Sequence, residues 1–356
     1  MIAGLLQRTL TMRMAVTIAA ATVLASLPAT AQKLPDKNVV KEWVANAEKS
    51  SELSSYTGAP YHFVAHFHYT FADKSVDGIY EVLWAAPDRF RVEFRAGNVG
   101  ETDLVLGDKK YVLRNTPTMS YAMWSVSGLL QRANAIRVPP EHTEPSTHNI
   151  TATGDGTSRQ ICAEIGPATI LVHQMCFDAA TFAIVSDRTH SKKGAHIAGG
   201  SIEIDRTDFM QLDGTRIPRH VVRQWGPETI DATVEKWERV DTIADDLLTP
   251  PAKSVPWDWC ASPTVDTSKM PAPTLAPQID LSHAWTGAAV IHYFAFYRVV
   301  DASGNIEQST ALLGSPDSAA AAAALKGRAA RYICNGKPIR YESVSIIFPA
   351  LVAFGI

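Results

Sequence analysis

Three histidines of equal parity, His62, His66 and His68, stand in the run Tyr61 to Tyr69, where they alternate with Phe63, Ala65 and Phe67. On a strand they project from one face, and imidazoles gathered on a face can converge on a metal ion. Spacing works against a single site, because strand positions four residues apart lie roughly 13 Å from each other. His66 and His68 would need a carboxylate from a neighbouring strand, so a solvated strand face without metal is the expectation. Nucleophilic chemistry has even less behind it. The chain holds no G-x-S-x-G, no H-E-x-x-H and no phosphate-cradling glycine loop, and Ser125-Val126-Ser127-Gly128 lacks the first glycine of an elbow. Asp205, Asp208 and Asp213 read as turn and surface residues rather than an acid–base pair. Arg89, Arg91 and Arg95 form a row that would either meet anionic head groups or line a solvated sheet face. The expectation is a protein that is not an enzyme and carries no cofactor.

A second set of residues points to binding. Phe63, Phe67 and Tyr69, then Tyr80, Val82 and Trp84, then Phe90, Val92 and Phe94 occupy the apolar parity of three successive runs. Period-two alternation puts each trio on one face of a half-buried strand. These nine residues are the candidate wall of an apolar cavity, unless they simply pack against each other as core. The runs are separated by turn signals at Asp77-Gly78, Pro87-Asp88, Ala96-Gly97-Asn98 and Gly107-Asp108, which describes an antiparallel meander.

The remaining elements position that wall. Asp36 caps a helix that carries Val39, Val40, Trp43, Val44 and Ala47 on one face. A helix is expected near Ser125 to Arg137 and a polar loop from Val138 to Thr157. Strands resume around Ile161–Ile165, Ile170–Phe177, Phe182–Thr189, Ser201–Phe209, Arg216–Trp225 and Thr229–Val240. In the last of these the inward face is ambiguous, because Val234 and Trp237 differ in parity. Five prolines between Pro256 and Pro277 then mark an extended linker. Beyond it come strands at Ala288–Val300 and Ile306–Leu313, a helix at Ala319–Ala330 capped by Ser315, and a strand at Ile339–Phe348 with a bulge near Glu342-Ser343.

Length, charge and leader bound the protein's class. The chain has 356 residues, 46% hydrophobic and 19% charged, with a formal charge of −3, which excludes a wholly disordered chain and argues against a nucleic-acid binder. Arg8 and Arg13, the uncharged run Met14–Leu27 and Ala29-Thr30-Ala31 have the form of a cleaved secretory signal over residues 1–31. The run is shorter than the roughly 20 residues that span a bilayer, so an integral membrane protein is not expected. Cleavage leaves 31 basic and 36 acidic residues. Four cysteines in an oxidising compartment suggest two disulfides with three connectivities open. Cys162 and Cys176 flank a hairpin-like segment and pair reasonably, which leaves Cys260 with Cys334.

Two resemblances follow from short motifs. The opening helix, Pro87-Asp88-Arg89-Phe90-Arg91, Leu106-Gly107-Asp108-Lys109-Lys110-Tyr111 and Leu212-Asp213-Gly214-Thr215-Arg216-Ile217-Pro218 resemble LolA/LolB-type periplasmic lipoprotein carriers. That resemblance implies a curved, open antiparallel barrel whose inner face takes acyl chains. Val299-Val300-Asp301-Ala302-Ser303-Gly304-Asn305-Ile306, Ser315-Pro316-Asp317, Arg331-Tyr332 and Asn335-Gly336-Lys337-Pro338-Ile339 resemble the TonB C-terminal domain. Ala330 stands where that family usually has Trp, and Cys334 stands near the place of a usual proline. A cleaved leader and a neutral linker also depart from energy-coupling TonB proteins.

The expected fold class is α+β: a LolA-like open β-barrel with helices over residues 32–250, a linker over 251–280, and a small ββαβ domain over 281–356. The expected function is a periplasmic binding protein. A lipid or lipoprotein acyl chain would occupy the barrel, and an envelope or outer-membrane protein would meet the C-terminal module. The alternatives are an envelope structural or adaptor protein with a self-filled barrel, or a metal-dependent enzyme.

Overall fold

The computed structural model describes residues 34, 36–53, 56, 58–131, 147–154, 159–165, 171–191, 201–261, 263–266, 294–313 and 328–347. The leader and the helix expected at Ala319–Ala330 therefore lie outside the described residues, apart from Arg328–Ala330, which are not helical.

A first meander runs through β1 (Tyr61–Phe71), β2 (Lys74–Ala86), β3 (Arg89–Ala96), β4 (Val99–Leu106) and β5 (Lys109–Arg114). A second runs through β6 (Thr147–Thr153), β7 (Gln160–Ile165), β8 (Leu171–Asp178), β9 (Ile184–Ser191), β10 (Ile202–Leu212), β11 (Thr215–Trp225) and β12 (Glu228–Arg239). Antiparallel pairing of β1 with β12 joins the two meanders. With β13 (Val255–Asp258) added beside β5, they form one 13-stranded sheet in the order β13-β5-β4-β3-β2-β1-β12-β11-β10-β9-β8-β7-β6. The tight turn Asp213-Gly214 places both residues at positive φ, 51° and 81°, as a two-residue hairpin requires.

Two helices lie on the inner face. α1 (Lys37–Ser51) sets Val40 and Ala47 against Ala163, Met175, Phe177 and Ile184 of the second meander. α2 (Tyr121–Gln131) buries Tyr121, Met123, Val126, Leu129 and Leu130 in the main core, where they meet Phe63, Tyr80 and Phe94. Ser120 Oγ caps α2 by accepting the Met123 amide at 3.0 Å.

The ambiguous parity of β12 has a structural cause. Val64 pairs with Lys236 but Ala65 pairs with Val234, so Glu235 is an extra residue at a bulge. Val234 and Trp237 can then both face inward, and both are buried.

The C-terminal segment forms two small sheets. β15 (Phe294–Val300) lies between β16 (Ile306–Leu313) and β19 (Tyr341–Ile347), while β17 (Arg331–Cys334) lies between β14 (Thr264–Asp266) and β18 (Lys337–Ile339). The β17–β18 hairpin turns at Asn335-Gly336, again with both φ angles positive, 49° and 77°.

These observations correct the expected fold class. The described chain is mostly antiparallel β rather than α+β, with one large open sheet and two three-stranded sheets where a ββαβ unit is expected. The stretch read as a linker supplies β13 and β14, because Val255–Asp258 and Thr264–Asp266 find strand partners in β5 and β17. Thr147–Thr153 is a strand, not loop, and α2 begins at Tyr121, not Ser125. No bulge occurs at Glu342-Ser343; the irregularities fall on the other side of β15, at Ala295/Phe296 and Val299/Val300 against β16.

Candidate functional site: the inner face of the sheet

Eight of the nine expected wall residues are buried, and Phe90 is partly buried against the same core. They form a continuous aromatic floor. Phe67 stacks on Phe94 with centroids 5.4 Å apart, and Phe63 meets Tyr80 edge-on at 6.3 Å. The close approach depends on Gly78, opposite Phe67 in the β1–β2 register, because a Cβ there would lie 2.1 Å from the Phe67 ring. At one end Tyr61 stacks on Trp84 at 5.3 Å, Tyr56 packs edge-on against both, and the Tyr56 hydroxyl donates to Asp213.

α2 covers this floor and is fastened to it by polar groups that its own hydrophobicity does not predict. Arg223 on β11 bonds both the Ser125 hydroxyl and Glu228, the latter at 2.7 Å, and Ser125 in turn donates to Glu228 at 2.6 Å. All three are buried, so each satisfies groups that would otherwise be desolvated without a partner. Farther along, Gln131 donates to the Tyr80 hydroxyl, and Ser127 lies 3.2 Å from it. Burial pushes the Tyr80 phenol up to about 12, against the hydrogen bonds to Ser127 and Gln131.

Between α1, α2 and the sheet lies a cavity of about 10 Å³, lined by apolar side chains, Ser51 and Arg206. That volume admits about one water. Among the described residues, core side chains of the sheet and of α2 pack closely around that cavity.

Toward β4 and β5 the inner face turns from aromatic to charged, and there the C-terminal sheet is seated. Glu342 of β19 lies 2.8 Å from Lys110 and 3.0 Å from Arg114, and it accepts the Tyr297 hydroxyl at 2.9 Å. Arg114 also bonds Glu101 at 2.6 Å, and Lys110 lies 3.2 Å from Asp103. Burial and the Asp103 charge push the Glu101 carboxyl up to about 8, against the pull of Arg114. Burial works the same way on Glu342, but Lys110 and Arg114 overcome it and hold that carboxyl down to about 2. Ala295, Leu313, Val344 and Ile346 extend the contact by packing on the main core. The Cys260–Cys334 disulfide ties the residue two beyond β13 to β17, and Cys162–Cys176 joins register partners on β7 and β8.

The histidines do not converge. His62 pairs with Glu81, His66 with Glu235 and His68 with Asp77, each at 2.7 Å on the outer face. Among the described residues no group of three or more His, Cys, Asp or Glu side chains is placed to hold a metal ion. The arginine row serves the fold. Arg89 pairs with Asp245 at 2.7 Å and Arg91 donates to the Leu247 carbonyl at 3.0 Å, so these two hold the segment that follows β12, while Arg95 lies 3.7 Å from Glu81 on β2. Sequence reading missed Arg206, Arg223, Glu228, Glu101 and Arg114. Their signal is a charged residue at the inward parity of an otherwise apolar strand, as in Ile202-Glu203-Ile204-Asp205-Arg206.

No protein-family model matches the chain, and no curated relative matches it. Several solved structures are similar. One is a LolA superfamily protein from Nitrosomonas europaea, 12% identical with a TM-score of 0.35, covering 59% of this chain and 96% of that one. A second is a putative outer membrane lipoprotein-sorting protein domain from Vibrio parahaemolyticus, 8% identical with a TM-score of 0.34, covering 59% and 94%. A third is MucB, 10% identical with a TM-score of 0.30, covering 65% and 73%. At these scores the likeness carries no argument about ligand or partner. The TonB-type resemblance of the C-terminal module has no counterpart among these three.

Proposed function

We propose that this chain is a non-enzymatic periplasmic binding protein of carrier type. It takes an apolar ligand or a lipidated partner on the inner face of its large sheet. One observation carries the reading: a broad aromatic face is covered by one short helix and a small C-terminal sheet, each held by buried polar groups in addition to its apolar packing. An apolar chain entering along Phe63, Phe67 and Phe94 would take the place of α2, gaining the same burial that α2 now provides. The C-terminal module would meet an envelope protein by strand addition at β16, an edge of its sheet. Secretion through the leader at residues 1–31 places the protein in the periplasm under this reading.

Native mass spectrometry of gently purified protein tests it. Co-purifying lipid, displaced by an added fluorescent apolar probe, is the expected result. Protein that is free of lipid and refuses the probe overturns it. A second reading, an adaptor with a permanently self-filled barrel, is favoured by the small volume of the cavity. The same experiment separates the two.

A further inference from the structure

The small sheet β16–β15–β19 rests on the large sheet without pairing with it. Among the described residues no strand of one forms a ladder with a strand of the other, so side chains hold it there. Its seat adjoins the aromatic floor. Register sets Phe94 of β3 beside Glu101 of β4, and Glu101 beside Arg114 of β5. Adjacent strands lie about 4.8 Å apart, so Glu342, bonded to Arg114, is anchored two strands from Phe94.

The cations of the seat have partners without the C-terminal sheet. Arg114 meets Glu101 at 2.6 Å and Lys110 lies 3.2 Å from Asp103, both carboxylates belonging to β4. Those four charges balance, and Glu342 adds a third carboxylate. The surplus shows in the bonding: among the described residues, buried Glu101 Oε2 and Asp103 Oδ1 accept no hydrogen bond. Such acceptors weigh against the closed arrangement, because water would reach them once the small sheet moved away. The packing of Leu313, Val344 and Ile346 on the core weighs for it. Departure would not set the module free, since Cys260–Cys334 ties β17 to the chain just beyond β13, which is paired to β5.

We infer that β16–β15–β19 is an autoinhibitory cover: with Glu342 seated on Lys110 and Arg114 it closes the β3–β5 side of the aromatic floor, and it moves off, still tethered through Cys260–Cys334, to admit an apolar ligand. This rests on the binding reading above and names the element that controls access.

Two neighbouring lysines provide the readout. The Lys109 side chain is 42% exposed, whereas that of Lys110, against Glu342, is 13% exposed. Trace acetylation by N-acetoxysuccinimide, read by mass spectrometry, compares them in the full chain with both disulfides formed. Without ligand, Lys110 reacts at least tenfold more slowly than Lys109. Saturating N-phenyl-1-naphthylamine, a neutral apolar probe, brings the two within about threefold. The E342K variant sets a third cation against the seat, so Lys110 is freed without probe. Stopped-flow fluorescence should then show probe association about tenfold faster, because the open form is more populated. Circular dichroism checks the variant's fold, and the comparison on the unaltered protein stands without it. Probe that binds while Lys110 stays shielded overturns the cover and leaves the binding reading in place. So does a folded variant in which Lys110 is free but entry is no faster. Failure of both proteins to bind the probe overturns both readings.

Discussion

Arg114 on β5 and Glu342 on β19, 228 residues apart in the chain, face each other through three hydrogen bonds at 3.0 to 3.1 Å. Neither has much access to water, so the pair fixes where the C-terminal sheet sits. Three carboxylates, Glu101, Asp103 and Glu342, meet two cations there, Lys110 and Arg114. Charge balances when one carboxylate is protonated, and burial raises Glu101 toward holding that proton.

The pH dependence of this contact follows from two opposed shifts. Glu101 holds its proton more tightly when folded, so its contribution is complete below the unfolded value near 4.5 and is lost as pH rises through about 8. Glu342 is depressed, so its contribution is present above 4.5 and is lost as pH falls toward about 2. Thermal unfolding followed by near-ultraviolet dichroism should show greatest stability in mildly acidic solution, with a decline toward pH 9. The E101Q variant, neutral throughout, should flatten that alkaline decline; an unchanged decline would refute the assignment.

Glu342→Ala leaves Arg114 and Lys110 without their shared partner. The expected loss is about 3–5 kcal/mol, typical of breaking one side of a buried pair. Hydrogen exchange should localise it, with amides of Phe294–Val300 losing protection before those of Phe63–Phe67.

Ser125→Ala removes the hydroxyl that bridges Arg223 and Glu228 beneath α2. A cost of about 1–3 kcal/mol is expected from the desolvated groups it leaves. Because the loss falls on the cover and not on the floor, uptake of an apolar probe should rise. Unchanged or reduced uptake would show that α2 is not the element that moves.

Gly78→Val places a side chain where the Phe67 ring now lies. Overpacking of this kind costs about 1–3 kcal/mol, and the Phe67–Phe94 stack should open. Urea unfolding measures the first effect and aromatic ring-current shifts the second.

Removing Cys260–Cys334, which closes a loop of 74 residues, should cost about 4 kcal/mol, against about 3 for Cys162–Cys176 with its separation of 14. Paired Cys→Ser variants in urea titrations give the order directly, and only the first should loosen the β14–β17–β18 sheet.

Local rules determined much of this protein from sequence alone. The alternation of Phe90, Val92 and Phe94 with Arg89, Arg91 and Glu93 identifies the inward face of β3, because side chains on a strand reverse at every residue. Asp213-Gly214 and Asn335-Gly336 mark hairpins because few residue pairs accept two positive φ angles. Cys162 and Cys176 were legible as a hairpin staple for the same short-range reason. Tertiary structure alone decided what lies across the inner face. Parity names Arg223 and Arg114 as inward but cannot say which partner answers a buried charge, since Ser125 and Glu342 come from distant elements. The extra residue Glu235 and the strands within the proline-rich stretch exist only because partners in β1, β5 and β17 are present to pair with them. Whether nine aromatic and apolar residues form core or cavity was likewise outside the reach of periodicity. A face records that it is apolar; only the packing of α2 and the C-terminal sheet against it records what covers it.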